Sequence, residues 1–341
     1  MRLLPAALAA VVLLASCSFG QETDGSAPAN VRLGYFPNVT HAPALVGLEQ
    51  GFFADALGPD VELQAQAFNA GPEVVEAIFN GALDASYIGP NPAINAFSRS
   101  NGEAIRIVAG TTSGGAALVV REGITSPDQL AGSVLATPQL GNTQDVALRA
   151  WLLEQGYETD LEGGGDVSIS PQANGQALEA FVAGEIDGAW VPEPWATRMV
   201  TEAGGHVLVD EAELWPDGAF VTTHLVVATE FLEEHPGVVK RLIEGHVEAV
   251  SFANDHPEAA QEIVALAIEA LSGSQLSTGV LAAAWENLEF TVDPIADSLA
   301  ISAQHAADLG LLDDADLEGI YDLAALNEVL SEAGLAQIPA P

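Results

Sequence analysis

Between Val31 and Ala228, short apolar runs alternate with longer stretches of helical periodicity, and this rhythm constrains the fold more than any other feature of the chain. Residues 31–36, 61–68, 85–88, 105–110, 116–121, 134–137, 167–170, 188–191, 206–209 and 220–228 read as strands. Residues 43–50, 72–80, 92–98, 143–155, 175–183 and 194–203 read as the helices between them. Strands alternating with helices assemble into parallel α/β sheets. Two places break the rhythm. The run Gly110-Thr-Thr-Ser-Gly-Gly115 joins one strand directly to the next, and the acidic segment 210–218 precedes the strand at 220–228. Both read as crossings between two lobes. This places a first lobe at 31–115, a second at 116–218, and a return to the first lobe with C-terminal helices at 219–341, for example 236–253 and 257–271.

The N-terminus is a separate unit. Met1 and Arg2 lead into an uncharged segment, 3–16, that ends in Leu14-Ala15-Ser16-Cys17. The segment is shorter than the roughly 20 apolar residues needed to span a bilayer and has the layout of a secretory signal peptide. Leu-Ala-Ser-Cys also resembles the lipobox of bacterial lipoproteins, which implies lipidation of Cys17 after loss of residues 1–16. The alternative is an ordinary signal peptide that contains a cysteine. Residues 17–30 then read as a lipidated flexible tether, rich in Gly and Ser with Pro28. Cys17 is the only cysteine, so no disulfide can form within the processed chain.

Charge excludes whole classes of partner. Nine Lys and Arg face 48 Asp and Glu, a formal net charge of −39. Nucleic acid and adsorbed anionic lipid both need clustered cations, so membrane contact is expected through a lipid on Cys17 alone. Lys240 is the only lysine, and the acidic excess fits a salty habitat, with higher thermal stability expected in molar salt than in dilute buffer. Asp314, Asp316 and Glu318 echo a calcium loop, but the position that needs a bidentate acid is Ala325. No metal and no cofactor are expected.

The informative residues recur where a strand turns into a helix. In the first lobe these turns carry Asn38, Thr40 and His41, then Asn69 and Gly71, then Gly89 and Asn91; in the second they carry Gly141, Asn142 and Thr143, then Gln172 and Asn174, then Glu193. Each has a local explanation, because Asn and Thr cap helices and Pro suits the first turn. Together they mark the edge of a parallel sheet where ligands bind, with helix N-termini offering free N–H groups to an anion. Ser113, on the first crossing, is a further candidate. Asp145 competes for the positive end of the helix that Thr143 opens. Arg149 reads first as a surface arginine, and otherwise as a charge behind the pocket. Trp190 reads equally as an aromatic wall and as core; Glu193 would suit an amine or pair across the cleft. No His-Glu-x-x-His, Gly-x-Ser-x-Gly or Cys/His metal spacing occurs, and an enzyme is not expected.

With those junctions in place, the chain resembles the nitrate/sulfonate/taurine family of ABC-importer solute-binding proteins. The resemblance rests on Leu33-Gly-Tyr-Phe36, Gly51-Phe-Phe53, Ala70-Gly-Pro72, Asn80-Gly-Ala-Leu-Asp84, Gly89-Pro-Asn91, Gly141-Asn-Thr143, Gly184-Glu-Ile-Asp187, Gly188-Ala-Trp190 and Pro192-Glu-Pro194. It implies a two-lobe type II periplasmic-binding-protein fold with a hinge, and C-terminal helices packed on the first lobe. It further implies a monomeric receptor at the outer face of the cytoplasmic membrane that delivers a small-molecule ligand to an ABC permease. Gly141-Asn-Thr143 and Arg149 are most similar to the sulfonate branch, implying an aliphatic sulfonate or taurine. Nitrate or bicarbonate is an alternative, although no lysine precedes Lys240 to meet nitrate; a heteroaromatic or amine-bearing nutrient such as a pyrimidine precursor is another.

Overall fold

The computed structural model describes residues 30–313 and 316–340. The expected signal segment, Cys17 and nearly all of the expected tether lie outside them, as does Asp314. In chain order the structure runs β1 (Asn30–Tyr35), α1 (Ala42–Glu49), α2 (Phe52–Leu57), β2 (Glu62–Ala67), α3 (Gly71–Phe79), β3 (Ala85–Ile88), α4 (Pro90–Arg99) and β4 (Ile105–Gly114). It continues with β5 (Ala116–Val120), β6 (Val134–Thr137), α5 (Thr143–Glu154), β7 (Ser168–Pro171), α6 (Asn174–Ala183), β8 (Gly188–Pro192), α7 (Trp195–Thr201) and β9 (His206–Asp210). Then come β10 (Val221–Ala228), α8 (Thr229–Glu234), α9 (Pro236–Asp255), α10 (Pro257–Ser272), α11 (Thr278–Glu286), β11 (Leu288–Phe290), α12 (Ala296–Asp308) and α13 (Ala324–Glu332).

Two sheets result, in the orders β11-β4-β10-β3-β1-β2 and β7-β6-β8-β5-β9. Within them β1 pairs in parallel with β2 and β3, and β6 with β7 and β8. Both sheets also contain antiparallel pairs. Each sheet contains an antiparallel strand that follows a crossing, β5 between β8 and β9 and β10 between β3 and β4, and the edge strand β11 also pairs antiparallel with β4. Neither passage from one sheet to the other contains an α-helix, so no right-handed crossover holds the incoming strand parallel.

Helices cover both faces of each sheet, and four apolar clusters fill the layers between. Strands such as β3 and β8 are buried along their whole length, as expected for strands covered on both sides. The first strand of the Gly110–Gly115 region does not end at Gly110: β4 continues to Gly114 because β10 and β11 pair with the extension. Gly114 and Gly115 then turn the chain into β5 at φ +80° and +73°. A Cβ on Gly115 would also meet the Leu288 side chain at 2.1 Å, so the turn requires glycine twice over.

The long helix α9 packs on α1, α2 and α13, sealing the first lobe. The helical C-terminal portion does more than this, however, because α12 packs on α4 of the first lobe and on α5 of the second. Val146 of α5 is accordingly buried in a cluster otherwise built from first-lobe residues.

Candidate functional site

The carboxyl ends of β1, β2 and β3 face those of β6, β7 and β8 across a cleft. Phe36, Asn38, Thr40, His41, Asn69, Gly71 and Gly89 line it from the first lobe, with Thr222 at the start of β10. Pro138, Asn142, Thr143, Gln144, Asn174 and Pro192 line it from the second. The lobes are closed on one another. A Cβ on Gly89 would lie 2.4 Å from Thr143 Oγ1, and Trp195 Nε1 donates to Asn38 Oδ1 at 3.0 Å. About 30 Å³ of open space remains, against the roughly 10–15 Å³ that one water needs. That is room for a compact polar group.

Among the described residues no charged side chain lines this cleft. His41, buried at 2% exposure, is its one imidazole, and burial pushes that group down to about 3. Its Nδ1 accepts from the Phe36 N–H at 3.3 Å, so the ring proton resides on Nε2. Asn174 is buried, and its Oδ1 has no hydrogen-bond partner among the described residues, leaving an acceptor free for a donor group of a solute. Helices α3 and α6 begin at the cleft without a side-chain cap. The first-turn N–H groups of α6 are available, whereas the first turn of α3 contains Pro72, which has no N–H, and Glu73, whose carboxylate accepts from the Asn69 N–H at 3.3 Å. Pro90 and Pro92 remove two donors from α4, whose first turn offers little beyond Asn91.

Helix α5 is different. Asn142 Oδ1 accepts from the Asp145 N–H at 3.0 Å, a cap in the ordinary sense. The fully buried Asp145 accepts from the Gly141 N–H at 2.9 Å, Thr137 Oγ1 at 2.8 Å and Arg149 Nε at 2.9 Å. The positive end of α5 thus already holds a carboxylate of the chain itself. Arg149 is not a surface arginine: it is 1% exposed, neutralises Asp145 and donates from Nη1 to the Asp160 carbonyl at 2.7 Å.

Several expected residues lie away from the cleft wall. Asn91 donates to the Ser302 carbonyl of α12 at 3.3 Å, and Ser113 Oγ accepts from the Phe220 N–H at 3.3 Å beside the crossing. Gly141 supplies the turn before α5 at φ +72°, and Gln172 bonds through its backbone to Thr137. Trp190 is core: it is fully buried against Trp151, with ring centroids 5.9 Å apart, and donates to Glu211 at 2.6 Å. Glu193 takes the cross-lobe role, accepting from Asn287 Nδ2 of the first lobe at 2.7 Å and from Thr197 Oγ1 at 2.9 Å. Burial raises its carboxyl above the ordinary range. Phe36, Pro138, Gln144 and Pro192 were not singled out as site residues, yet each stands within a few positions of a junction residue. Thr222 had no such signal, because only the antiparallel insertion of β10 brings it to this edge.

The sequence profile of the NMT1-like family matches residues 24–268, and the chain belongs to that family. The taurine-binding periplasmic protein of Escherichia coli is 28% identical over 223 residues, covering 64% of this chain and 65% of that protein. The bicarbonate-binding protein CmpA of Synechococcus elongatus is 24% identical over 255 residues, covering 68% of this chain and 55% of that one. The chain thus matches less than two thirds of either relative's length. Among solved structures, the alkanesulfonate-binding protein SsuA from Xanthomonas axonopodis superposes with a TM-score of 0.71 at 17% identity, over 86% of this chain and 97% of that one. The nitrate-binding protein NrtA from Synechocystis gives 0.72 at 17% identity, over 92% and 91%. The fold is that of the two-lobe periplasmic solute-binding proteins.

Proposed function

We propose that this chain is the extracytoplasmic receptor of an ABC importer, and that its cleft captures a small organic anion, an aliphatic sulfonate or taurine. The observation that carries this reading is the cleft wall. It pairs neutral donors, namely His41 Nε2 and the open first turn of α6, with a lining that holds no charged side chain among the described residues. Such a wall suits a compact anionic head group, held by N–H dipoles in a site from which water is excluded. The taurine-binding and alkanesulfonate-binding relatives support the same class of solute.

The chain acts as a receptor and not as an enzyme. Its two lobes, 31–115 with 219–341 and 116–218, close over the solute and present a closed surface to the permease. A lipid on Cys17 holds the monomer at the outer face of the membrane. Nitrate or bicarbonate is the second reading, favoured by the small free volume and by the bicarbonate-binding and nitrate-binding relatives. Trp190 and Glu193, which favoured a heteroaromatic or amine-bearing solute, lie outside the cleft wall and lend it no support.

Native mass spectrometry of the purified protein, followed by calorimetry with taurine, alkanesulfonates, nitrate, bicarbonate and pyrimidines, tests the assignment. Saturable binding of a sulfonate, weakened by His41→Phe, is expected. Binding of a neutral or cationic compound with no response to any anion would overturn it.

A further inference from the structure

A second cavity, of about 100 Å³, opens further along α5, where that helix meets α12 and the crossing segment before β10. Its wall includes the indoles of Trp151 and Trp215, the carboxylates of Glu154 and Glu211, and the imidazole of His305; among the described residues no arginine or lysine contributes. We propose that this cavity binds a small organic cation, an ammonium or alkylated ammonium group, between its indoles and its carboxylates. The site is separate from the interlobe cleft and does not depend on which solute that cleft takes.

The argument starts from Glu211, which is 1% exposed. Its hydrogen-bond partners are indoles: Trp190 Nε1 donates at 2.6 Å, and Trp215 donates as well. An indole N–H carries no net charge, so the buried carboxylate has no counter-ion. Burial pushes the carboxyl up to about 7, with Asp210 adding to the rise. Asp145 on α5 shows how this chain treats a buried acid when it supplies its own cation: Arg149 stands at 2.9 Å. At Glu211 no arginine or lysine among the described residues takes that place, and the residue lines the cavity instead.

The aromatic wall points to an organic cation and not to a bare metal ion. Cations are drawn to indole faces, and alkylated ammonium groups lose little hydration on entering an apolar box. Both indoles are fixed by neighbours: Trp215 stacks on Phe220 at 5.6 Å and 10°, and Trp151 leans on Trp190. The cavity is therefore preformed. Among the described residues no group of three or more His, Cys, Asp or Glu is arranged to hold a metal.

Calorimetry of the full chain with choline, in salt high enough to screen the acidic surface, tests this site. The neutral isostere 3,3-dimethyl-1-butanol serves as the control. Choline should bind saturably, one molecule per chain, and the isostere should not bind. Glu211→Gln, which keeps the shape and an acceptor for Trp190, should weaken choline by about tenfold or more, and Trp215→Ala should do the same. Circular dichroism establishes that both variants are folded. Absence of saturable heat, equal binding of the isostere, or undiminished affinity in both folded variants would each overturn the site, the last by reporting adsorption to the acidic surface.

Discussion

Trp195 Nε1 donates to Asn38 Oδ1 at 3.0 Å, joining the first turn of α7 in the second lobe to the loop after β1 in the first. The Arg198 guanidinium lies over the same indole, 5.0 Å from its centroid. The bond exists only while the lobes are closed. Net, one such bond contributes about 1 kcal/mol, so Trp195→Phe should lower the closed-to-open ratio about fivefold. Small-angle scattering of the solute-free protein should show a larger radius of gyration. An unchanged value would mean that other contacts hold the closure.

Gly89 and Thr143 make the tightest approach across the cleft. Gly89→Ala would place Cβ 2.4 Å from Thr143 Oγ1, at a backbone φ of −71° that any residue accepts. The substitution should keep the lobes apart while leaving each intact. Faster hydrogen exchange at the first turn of α5 and no large change in Tm are expected. Adding Thr143→Ala, which removes the clashing atom, should restore protection.

The Asp145–Arg149 pair is almost fully enclosed. Arg149→Met leaves the Asp145 charge buried without its partner, a change that typically costs about 3–5 kcal/mol. Urea denaturation should show the loss, and Asp145→Asn in the same chain should recover part of it. A single variant as stable as the parent would show that the guanidinium contributes little to holding α5.

The helix starts around the cleft were legible because Asn, Thr, Gly and Pro mark them whichever lobe they belong to. Strands 85–88 and 134–137 coincide with β3 and β6 for a similar reason, being short apolar runs bounded by turn residues. Legibility ended where burial carries no pattern. Every residue of β8 is buried, so nothing in Gly188-Ala-Trp190 says which face the indole takes. Phe52–Leu57 was too short to register as a helix and Leu288–Phe290 too short to register as a strand. Arg149 resembled a surface residue because its partner, Asp145, was read as a competitor for the helix end and not as its counter-charge.

Acid should unfold the protein through its buried histidines. Burial pushes His41 down to about 3, and His224 and His246 down to about 4. His246 is locked as a neutral ring, with Tyr87 Oη 2.8 Å from Nδ1 and the Gly110 carbonyl 2.8 Å from Nε2. The unfolded chain takes up protons near pH 6.5 and the folded chain does not, so stability falls as pH drops from about 6.5 toward 4. The loss between pH 7 and 5 is on the order of 1–2 kcal/mol per histidine. Glu211 and Glu193 act in the opposite sense, because their folded carboxyls titrate above the unfolded value, and their contribution fades as pH rises. With three histidines against two acids, urea midpoints should fall from pH 7 to pH 5. A rise would contradict the neutral state of these rings.

A cleft without charge, set in a body of net charge −39, separates how a solute arrives from how it is kept. An anion approaching from bulk water meets a repulsive field over the last Debye length, about 10 Å at 0.1 M ionic strength. Once inside, it meets fixed dipoles whose strength salt barely alters. Added electrolyte would therefore speed capture and leave the residence time almost untouched. The affinity of this protein would be set by the ionic strength outside it, through the encounter rate.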